Sequence, residues 1–513
     1  MKIAQFNFSD TKGGAAKAAL RLHNGLLDLN LDSTFYVRNK ETNLDTVRVV
    51  NQYSKSVDSE LLNLVDKNYI KPNRSDISNT LFTASFYSSE IGNIIDDYDV
   101  INLHWVEKLL SNNNLYNLTS SGKNLVWTLH DMKPFTGGCH YSSNCINFEN
   151  TCSDCPQLMF DSKNLTRNIL REKINIFKDS NIKIITPSSW LADQAKKSSV
   201  FKEKEIVVIP NSINIDIFNR KDKCELKKEL DIDPNCIVLY FSCLNHNEKR
   251  KGMKLLIEVF ETALKEVNFK KLCEDKKIVF LTTGKPSKEL ENLPINIINY
   301  DYIQDDEMLA KLYNAADITL LPSIEDNLPN ILLESYACET PIIGFDTGGI
   351  KDIVEDNKSG FLVKNYNSKY FSDVLIDLIL DSKKRKAFGR QGYEKITNFY
   401  TPAKQASSYL KLYESFEKTN KLKTPVSFKK INSNILSEVV LESVDIEVKQ
   451  NPDFISEEFR KKVKKHDFLI ELTNRINIFK SLSFIRNPFK YLTAILKIFW
   501  TLVKLIKNPI AED

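Results

Sequence analysis

The stretch from Ile318 to Phe345 constrains the fold of this chain more than any other. Ile318 to Leu321 is an apolar run that reads as a buried parallel strand, and Pro341 to Phe345 is a second one. The residues between them, PSIEDNLPNILLESYACET, have the length and turn chemistry of one strand-to-helix crossover, so the segment reads as a βαβ unit. Pro329 suits the first turn of the intervening helix, where its missing N–H has no intrahelical partner, and Ile331, Leu332 and Tyr336 supply an apolar face. Asp326 then sits in the loop outside the carboxyl end of a strand, and Glu334 in the helix that follows. In an open α/β sheet ligands bind at that place, and the free N–H groups at the helix start favour an anion such as a phosphate.

The chain before this unit repeats the same alternation. Lys2 to Phe8 reads as a strand, and the turn at Gly13 and Gly14 opens a helix with Ala19, Leu20, Leu26, Leu27 and Leu29 at helical period. Ser33 to Val37 is the second strand, while Thr42 to Ser89 has poor periodicity. Tyr98 to Leu103 and Asn124 to Leu129 are buried strands that end in His104 and in His130 with Asp131. Two histidines at the carboxyl ends of parallel strands are expected on one rim, facing the crevice, with a proton affinity suited to chemistry near neutral pH.

Cys139, Cys145, Cys152 and Cys155 then fall within a loop, 134–158, and end in a C-x-x-C. Four thiolates would complete a tetrahedral structural zinc that staples the loop over the crevice; a redox pair or plain reduced thiols are the competing readings. Four protein ligands would close the site, which argues against a zinc-activated water.

A second strand-and-helix series starts at Cys236. Lys249, Arg250 and Lys251 crowd the turn ahead of Gly252 and an amphipathic helix, a plausible clamp for a diphosphate or else a solvated basic turn. Strands follow at Ile278 to Thr282 and Ile295 to Asn299, and helices at Ser368 to Leu380, Ser382 to Asn398 and Tyr400 to Phe416.

The segment DNLPNILLE, continuing SYACETP, resembles the donor-sugar motif of the retaining glycosyltransferases of family 4, and several flanking motifs fall in the expected order over residues 1 to about 416. The resemblance implies α/β architecture of the GT-B type: two Rossmann-like domains facing a cleft. It implies an acceptor-side domain over 1–204, a donor nucleotide-sugar domain over 205–399 and a helix over 400–418 crossing back to the first domain; beyond the resemblance, 419–513 reads by composition as a linker and an amphipathic helical extension. It also implies site roles. Asp326 touches hydroxyls of the transferred sugar, although the family usually has Glu there and Glu325 stands beside it. Glu334 holds the nucleotide ribose, and Tyr302 and Ile303 lie at the nucleobase. Lys251, with Arg250, Asn327 and Leu328, holds the diphosphate. The family's second basic residue falls on Asn245 here, so Arg250 or Lys249 is the substitute. His130 holds sugar or acceptor near the reacting carbon, and Gly13, Gly14 and His104 line the acceptor or phosphate side. The implied reaction takes a UDP- or GDP-sugar, keeps the anomeric configuration and requires no metal cofactor.

Composition limits the alternatives. Seventy-one basic against 67 acidic side chains leave a net charge of only +4, and Pro134 to Leu158 carries no Lys or Arg, which argues against a zinc-knuckle binder of nucleic acid. A nucleotide-sugar epimerase on the same architecture is the closer rival. The opening MKIAQFNFSDT shows no signal-peptide pattern and no run of eighteen uncharged apolar residues occurs, so the expectation is a cytoplasmic chain without a spanning helix. Lys490, Lys497 and Lys504 nevertheless recur every seventh residue in KYLTAILKIFWTLVKLIK, with Lys480 and Arg486 upstream. That is the pattern of an interfacial helix over 480–507 lying on the inner face of the membrane, against a helix docked on protein or a coiled-coil seam. A lipid-linked saccharide of surface polysaccharide synthesis would be its acceptor.

Overall fold

The structure, a computed structural model, describes residues 1–50, 65–75, 89, 91–417, 443, 446 and 450. The interfacial helix expected over 480–507, and the extension beyond 418 apart from three residues, lie outside the described residues.

Two parallel sheets form, one from each half of the strand-helix series. The first contains β1 (Lys2–Ser9), β2 (Asp32–Asn39), β3 (Val47–Val49), β4 (Val100–Leu103), β5 (Asn124–Thr128), β6 (Lys183–Thr186) and β7 (Ile206–Val208), in the order β3-β2-β1-β4-β5-β6-β7. The second contains β8 (Ile237–Asn245), β9 (Ile278–Lys285), β10 (Asn296–Tyr300), β11 (Ile318–Leu321), β12 (Ile342–Phe345) and β13 (Gly360–Val363), in the order β10-β9-β8-β11-β12-β13. Strands such as Ile318–Leu321 and Ile342–Phe345 are buried at every residue, as helices on both faces of a parallel sheet require. Separate apolar clusters line the second sheet, one around Tyr240, Tyr313 and Tyr336 and another around Phe241, Phe260 and Phe280. This is the GT-B architecture.

Strand order places the crevices. In the first sheet the order reverses between β1 and β4, and in the second between β8 and β11. Connections leaving two neighbouring strands in opposite directions open a gap at their carboxyl ends. The loops after β1 and β4 carry Gly13, Gly14 and His104; those after β8 and β11 carry Lys251 and Asp326.

The helix Pro402–Glu417 returns to the first domain. Its Tyr409 and Tyr413 bury among Ile3, Leu22, Leu26, Val126 and Ile185. Their hydroxyls meet Thr128 Oγ1 at 3.0 Å and Asn102 Nδ2 at 3.0 Å, which satisfies polar groups inside the sheet. Gln405 ties the linker, donating to the Pro210 carbonyl (3.0 Å) and accepting from Ser212 Oγ (2.7 Å).

Two expectations need correction. The first domain does not end near 204, because β7 at Ile206–Val208 still pairs with β6. Pro329 is the residue before the helix Asn330–Ala337, with extended backbone, and not part of its first turn. In the poorly patterned 42–89 region, the described residues hold the short strand β3 and a turn of helix at Asp66–Ile70.

Replacing Tyr413 by Phe leaves the buried Asn102 amide without that acceptor. The expected loss is about 1–2 kcal/mol, read from the midpoint of urea-induced unfolding.

Candidate active site

At the exit of β8 the chain makes a tight basic turn, Lys249–Lys251, and Gly252 closes it at φ +76°. A Cβ at Gly252 would stand 1.8 Å from the Pro322 carbonyl oxygen, so only glycine lets this turn lie against the end of β11. The contact brings both cations to one carboxylate. Asp326 Oδ2 is 2.6 Å from Lys251 Nζ and 3.1 Å from Arg250 Nη1. Gly348, at φ +56°, packs so closely on the Asp326 backbone that a Cβ would fall 1.7 Å from its carbonyl oxygen. Burial alone would raise the Asp326 pKa, but the charges of Lys251 and Arg250 hold it down at about 2.

Arg250 is fully engaged. It donates to the Glu325 carbonyl (2.9 Å) and, through Nε and Nη2, to Glu248 Oε1 (3.1 and 2.8 Å). Arg250, not the exposed Lys249, is therefore the second cation beside Asp326. Leu328 is a core residue, so any diphosphate contact there falls to its backbone. Asn327 instead spans the cleft: its Nδ2 donates to the His130 carbonyl (3.0 Å), and its Oδ1 accepts from Ser188 Oγ (2.6 Å).

Glu334 is 6% exposed and accepts from Tyr313 Oη at 2.8 Å. Burial pushes its carboxyl up, while Arg21 and Lys17 of the first domain act in the opposite sense. Lys17 also bridges to Asp306 at 2.5 Å, and Ser189 meets Asp352 through N and Oγ at 2.6 and 2.5 Å, so several polar contacts join the two domains. Tyr302 is 45% exposed at the rim, facing Lys12, and Ile303 packs on the second core.

On the first domain, His104 and His130 follow the carboxyl ends of the adjacent parallel strands β4 and β5, share that rim as expected, and stack at 5.5 Å between ring centroids. His104 is buried beneath His130 and supports it. Gln5 uses its amide N–H on Ser33 Oγ (3.1 Å), which leaves Gln5 Oε1 to accept from His104 Nε2 (3.0 Å). His104 Nδ1 must then accept from His130 Nε2 (3.2 Å), and His130 keeps the lone pair on Nδ1. Burial holds His130 and His23 down to about 4, and His104 well below its ordinary value, so all three rings are neutral near pH 7. Gly13 and Gly14 are exposed, with the Gly14 carbonyl 3.4 Å from Asn330 Nδ2 of the second domain.

The zinc expectation is not supported. Cys139, Cys145, Cys152 and Cys155 line a single cavity of about 10 Å³, yet no three His, Cys, Asp or Glu side chains among the described residues are arranged to hold a metal ion. Burial raises the Cys152 thiol to about 12 and Cys155 to about 11, and none of the four is in a disulfide. Residues that local sequence reasoning missed are Gln5, Lys17, Arg21, Tyr141, Ser188 and Asp306. Most act across a long sequence separation; Tyr141 lay within the Cys-rich loop, and Lys17 and Asp306 lay three residues beyond recognised site positions. Among the described residues, no helix is long and apolar enough to cross a membrane.

Residues 223–395 match the family described as Glycosyl transferases group 1, in agreement with the resemblance carried by DNLPNILLE. An N-acetyl-alpha-D-glucosaminyl L-malate synthase from Bacillus anthracis is 24% identical over 213 residues, 41% of this chain and 54% of that protein. A D-inositol 3-phosphate glycosyltransferase from Corynebacterium jeikeium is 36% identical over 108 residues, 21% of this chain and 26% of that protein. The chain thus spans about half the length of the former relative and about a quarter of the latter. In fold, it is similar to a sucrose-phosphate synthase from Thermosynechococcus elongatus (TM-score 0.58, 15% identity, covering 82% of this chain and 100% of that one). It is also similar to HepE from Anabaena, solved in complex with UDP-glucose (TM-score 0.52, 16% identity, covering 81% and 100%).

The neutral histidines fix the sign of a pH dependence. A ring whose folded pKa is depressed leaves the unfolded chain binding more protons between about pH 6.5 and 4, so the stabilisation is present above 6.5 and is lost as pH falls towards 4. His130 and His23 account for about 3 kcal/mol each over that window. The midpoint of thermal unfolding should fall steadily from pH 6.5 to 4.

Proposed function

We propose that this chain, whose residues 223–395 match the family described as Glycosyl transferases group 1, moves a glycosyl group from a nucleotide-diphosphate sugar to a saccharide or lipid-linked saccharide, with retention at the anomeric carbon and without a metal. The observation that supports it best is the Lys251–Asp326–Arg250 cluster at the reversal point of the second sheet, with Asn327 reaching from it to His130 across the cleft.

Charge decides how such a site works. When the glycosyl bond breaks, negative charge collects on the departing diphosphate, and fixed cations in a water-poor cleft stabilise that charge more than the ground state. Lys251 and Arg250 are those cations, a role that a divalent ion would otherwise fill. At rest Asp326 and Glu248 neutralise them, so the diphosphate competes with Asp326 for Lys251. That competition turns the carboxylate towards the sugar hydroxyls. Glu334, now bonded to Tyr313, is an acceptor for a ribose hydroxyl. His130, with its Nδ1 lone pair fixed by His104 and Gln5, accepts a hydrogen bond from a sugar or acceptor hydroxyl near the reacting carbon. Both carboxylates have binding roles, so neither is assigned as a covalent nucleophile.

An epimerase on this architecture would release free sugar. The lysine spacing of 490, 497 and 504 favours transfer at a lipid surface over that reading.

Incubation with UDP-, GDP- and ADP-sugars in EDTA should release nucleotide diphosphate from one donor, with the signal lost in Glu334→Ala; release abolished by chelation would overturn the metal-free clamp. Asp326→Asn should lower kcat by about 10²–10³ while the diphosphate product binds at least as tightly as to wild type. Truncation after Phe416 should abolish sedimentation with anionic liposomes, and unchanged sedimentation would remove the membrane reading.

A further inference from the structure

The loop 134–158 belongs to the first domain, yet its tip is built into the charged cluster of the second. Tyr141 is buried, with its ring 4.2 Å from the Arg250 guanidinium carbon and its hydroxyl 3.4 Å from Asp326 Oδ1. The ring also stacks on Trp190 at 6.3 Å and 16°. The next residues seat Glu325: Ser143 N donates to Glu325 Oε2 at 3.0 Å, and the Ser142 backbone bonds the same carboxylate.

The tip is itself anchored to the residue after His130. His140 Nδ1 lies 2.6 Å from Asp131 Oδ2, which also accepts from Trp105 Nε1 (3.0 Å), and Asp131 Oδ1 accepts from Lys133 N (2.9 Å). Gln157 Nε2 holds the Tyr141 carbonyl at 2.6 Å. These bonds fix the Tyr141 backbone relative to His130.

We propose that Tyr141 is a positioning residue of the donor site, and that the 139–143 tip is the first domain's contribution to holding the sugar diphosphate. The proposal rests on the functional reading above. The edges of Arg250 are held by Glu248, the Glu325 carbonyl and Asp326, all from its own domain. Its face is held by Tyr141 alone among the aromatic rings of the described residues. A guanidinium packed against a buried ring cannot swing into the cleft and away from the phosphate position. Seating the loop therefore completes the clamp, and a clamp without the ring has the charge but not its aim.

The test measures UDP affinity by calorimetry, together with thermal stability, for wild type, Tyr141→Leu and Tyr141→Phe. The ring, not the hydroxyl, carries the role, because the Asp326 contact is long. Tyr141→Leu should weaken UDP about tenfold, as expected for a desolvated cation–ring contact. Tyr141→Phe should restore affinity to within about twofold of wild type. Equal affinity of Tyr141→Leu and wild type would overturn the proposal, as would a Phe variant as weak as Leu or a loss of affinity matched by a collapse of thermal stability.

A nucleotide-free measurement separates this idea from the functional reading. Amide hydrogen exchange at residues 139–145 should quicken in Glu325→Ala and in Arg250→Ala if the tip is seated by those residues. Unchanged exchange in both variants sinks the loop-seating claim whatever the chemistry. Quickened exchange in both variants, together with a wild type that binds neither UDP nor GDP, would instead leave the seat standing and overturn the donor role, and with it the nucleotide-sugar reading.

Discussion

The shared carboxylate of Asp326 is the interaction on which the rest depends. Taking one carboxylate and two cations out of water is costly, and the cluster survives because each charge finds a partner within hydrogen-bond reach. Geometry makes that closure achievable. Gly252 lets the basic turn after β8 touch the end of β11, and Gly348 lets the turn after β12 touch Asp326 itself. Removal of Asp326 would leave two half-buried cations facing each other, so the carboxylate has a structural duty as well as its proposed one.

From that cluster, contacts run outwards in two directions. Asn327 reaches the His130 carbonyl, and behind His130 the buried chain of His104 and Gln5 fixes which nitrogen carries the proton. Low dielectric keeps those rings neutral, which suits a hydrogen-bond acceptor better than an imidazolium would. In the other direction, Lys17 and Arg21 bring positive charge from the helix Gly14–Asp28 towards Asp306 and Glu334. The two carboxylates of the motif are thus balanced differently, one within its own domain and one across the cleft. The crossing helix Pro402–Glu417 steadies this arrangement by tying the linker at Pro210 and Ser212 to the first core.

Much of the site was legible because its signals are local. Apolar runs bounded by turn residues placed β11 and β12 almost to the residue, and a carboxylate outside a strand end falls at a crevice once strand order is known. The failures share a cause. Strand-end position put His104 and His130 on one rim, where they meet, but it could not show that His104 is the more buried ring and backs His130. Spacing suggested a metal for the four cysteines; the loop does gather them around one cavity about the size of one water, but no three of these side chains are arranged to hold an ion. Leu328 sat within a ligand motif, and packing gives its side chain to the core, which leaves only its backbone for a ligand.

The amino-acid sequence by itself determined the alternation of strand and helix, the two parallel sheets, the carboxylate pair and the basic turn that faces it. These follow from periodicity, turn chemistry and the rule that parallel strands are buried on both faces, all of which act over a few residues. Only the tertiary structure decided that Arg250 rather than Lys249 joins Asp326, which nitrogen of His130 is the acceptor, and that Tyr141 crosses the cleft to lie on a guanidinium. The first two depend on side chains that meet within one domain across separations of 76 and 26 residues, and the third on contacts between domains 109 and 185 residues apart; no pattern along the chain encodes the angles at which they meet.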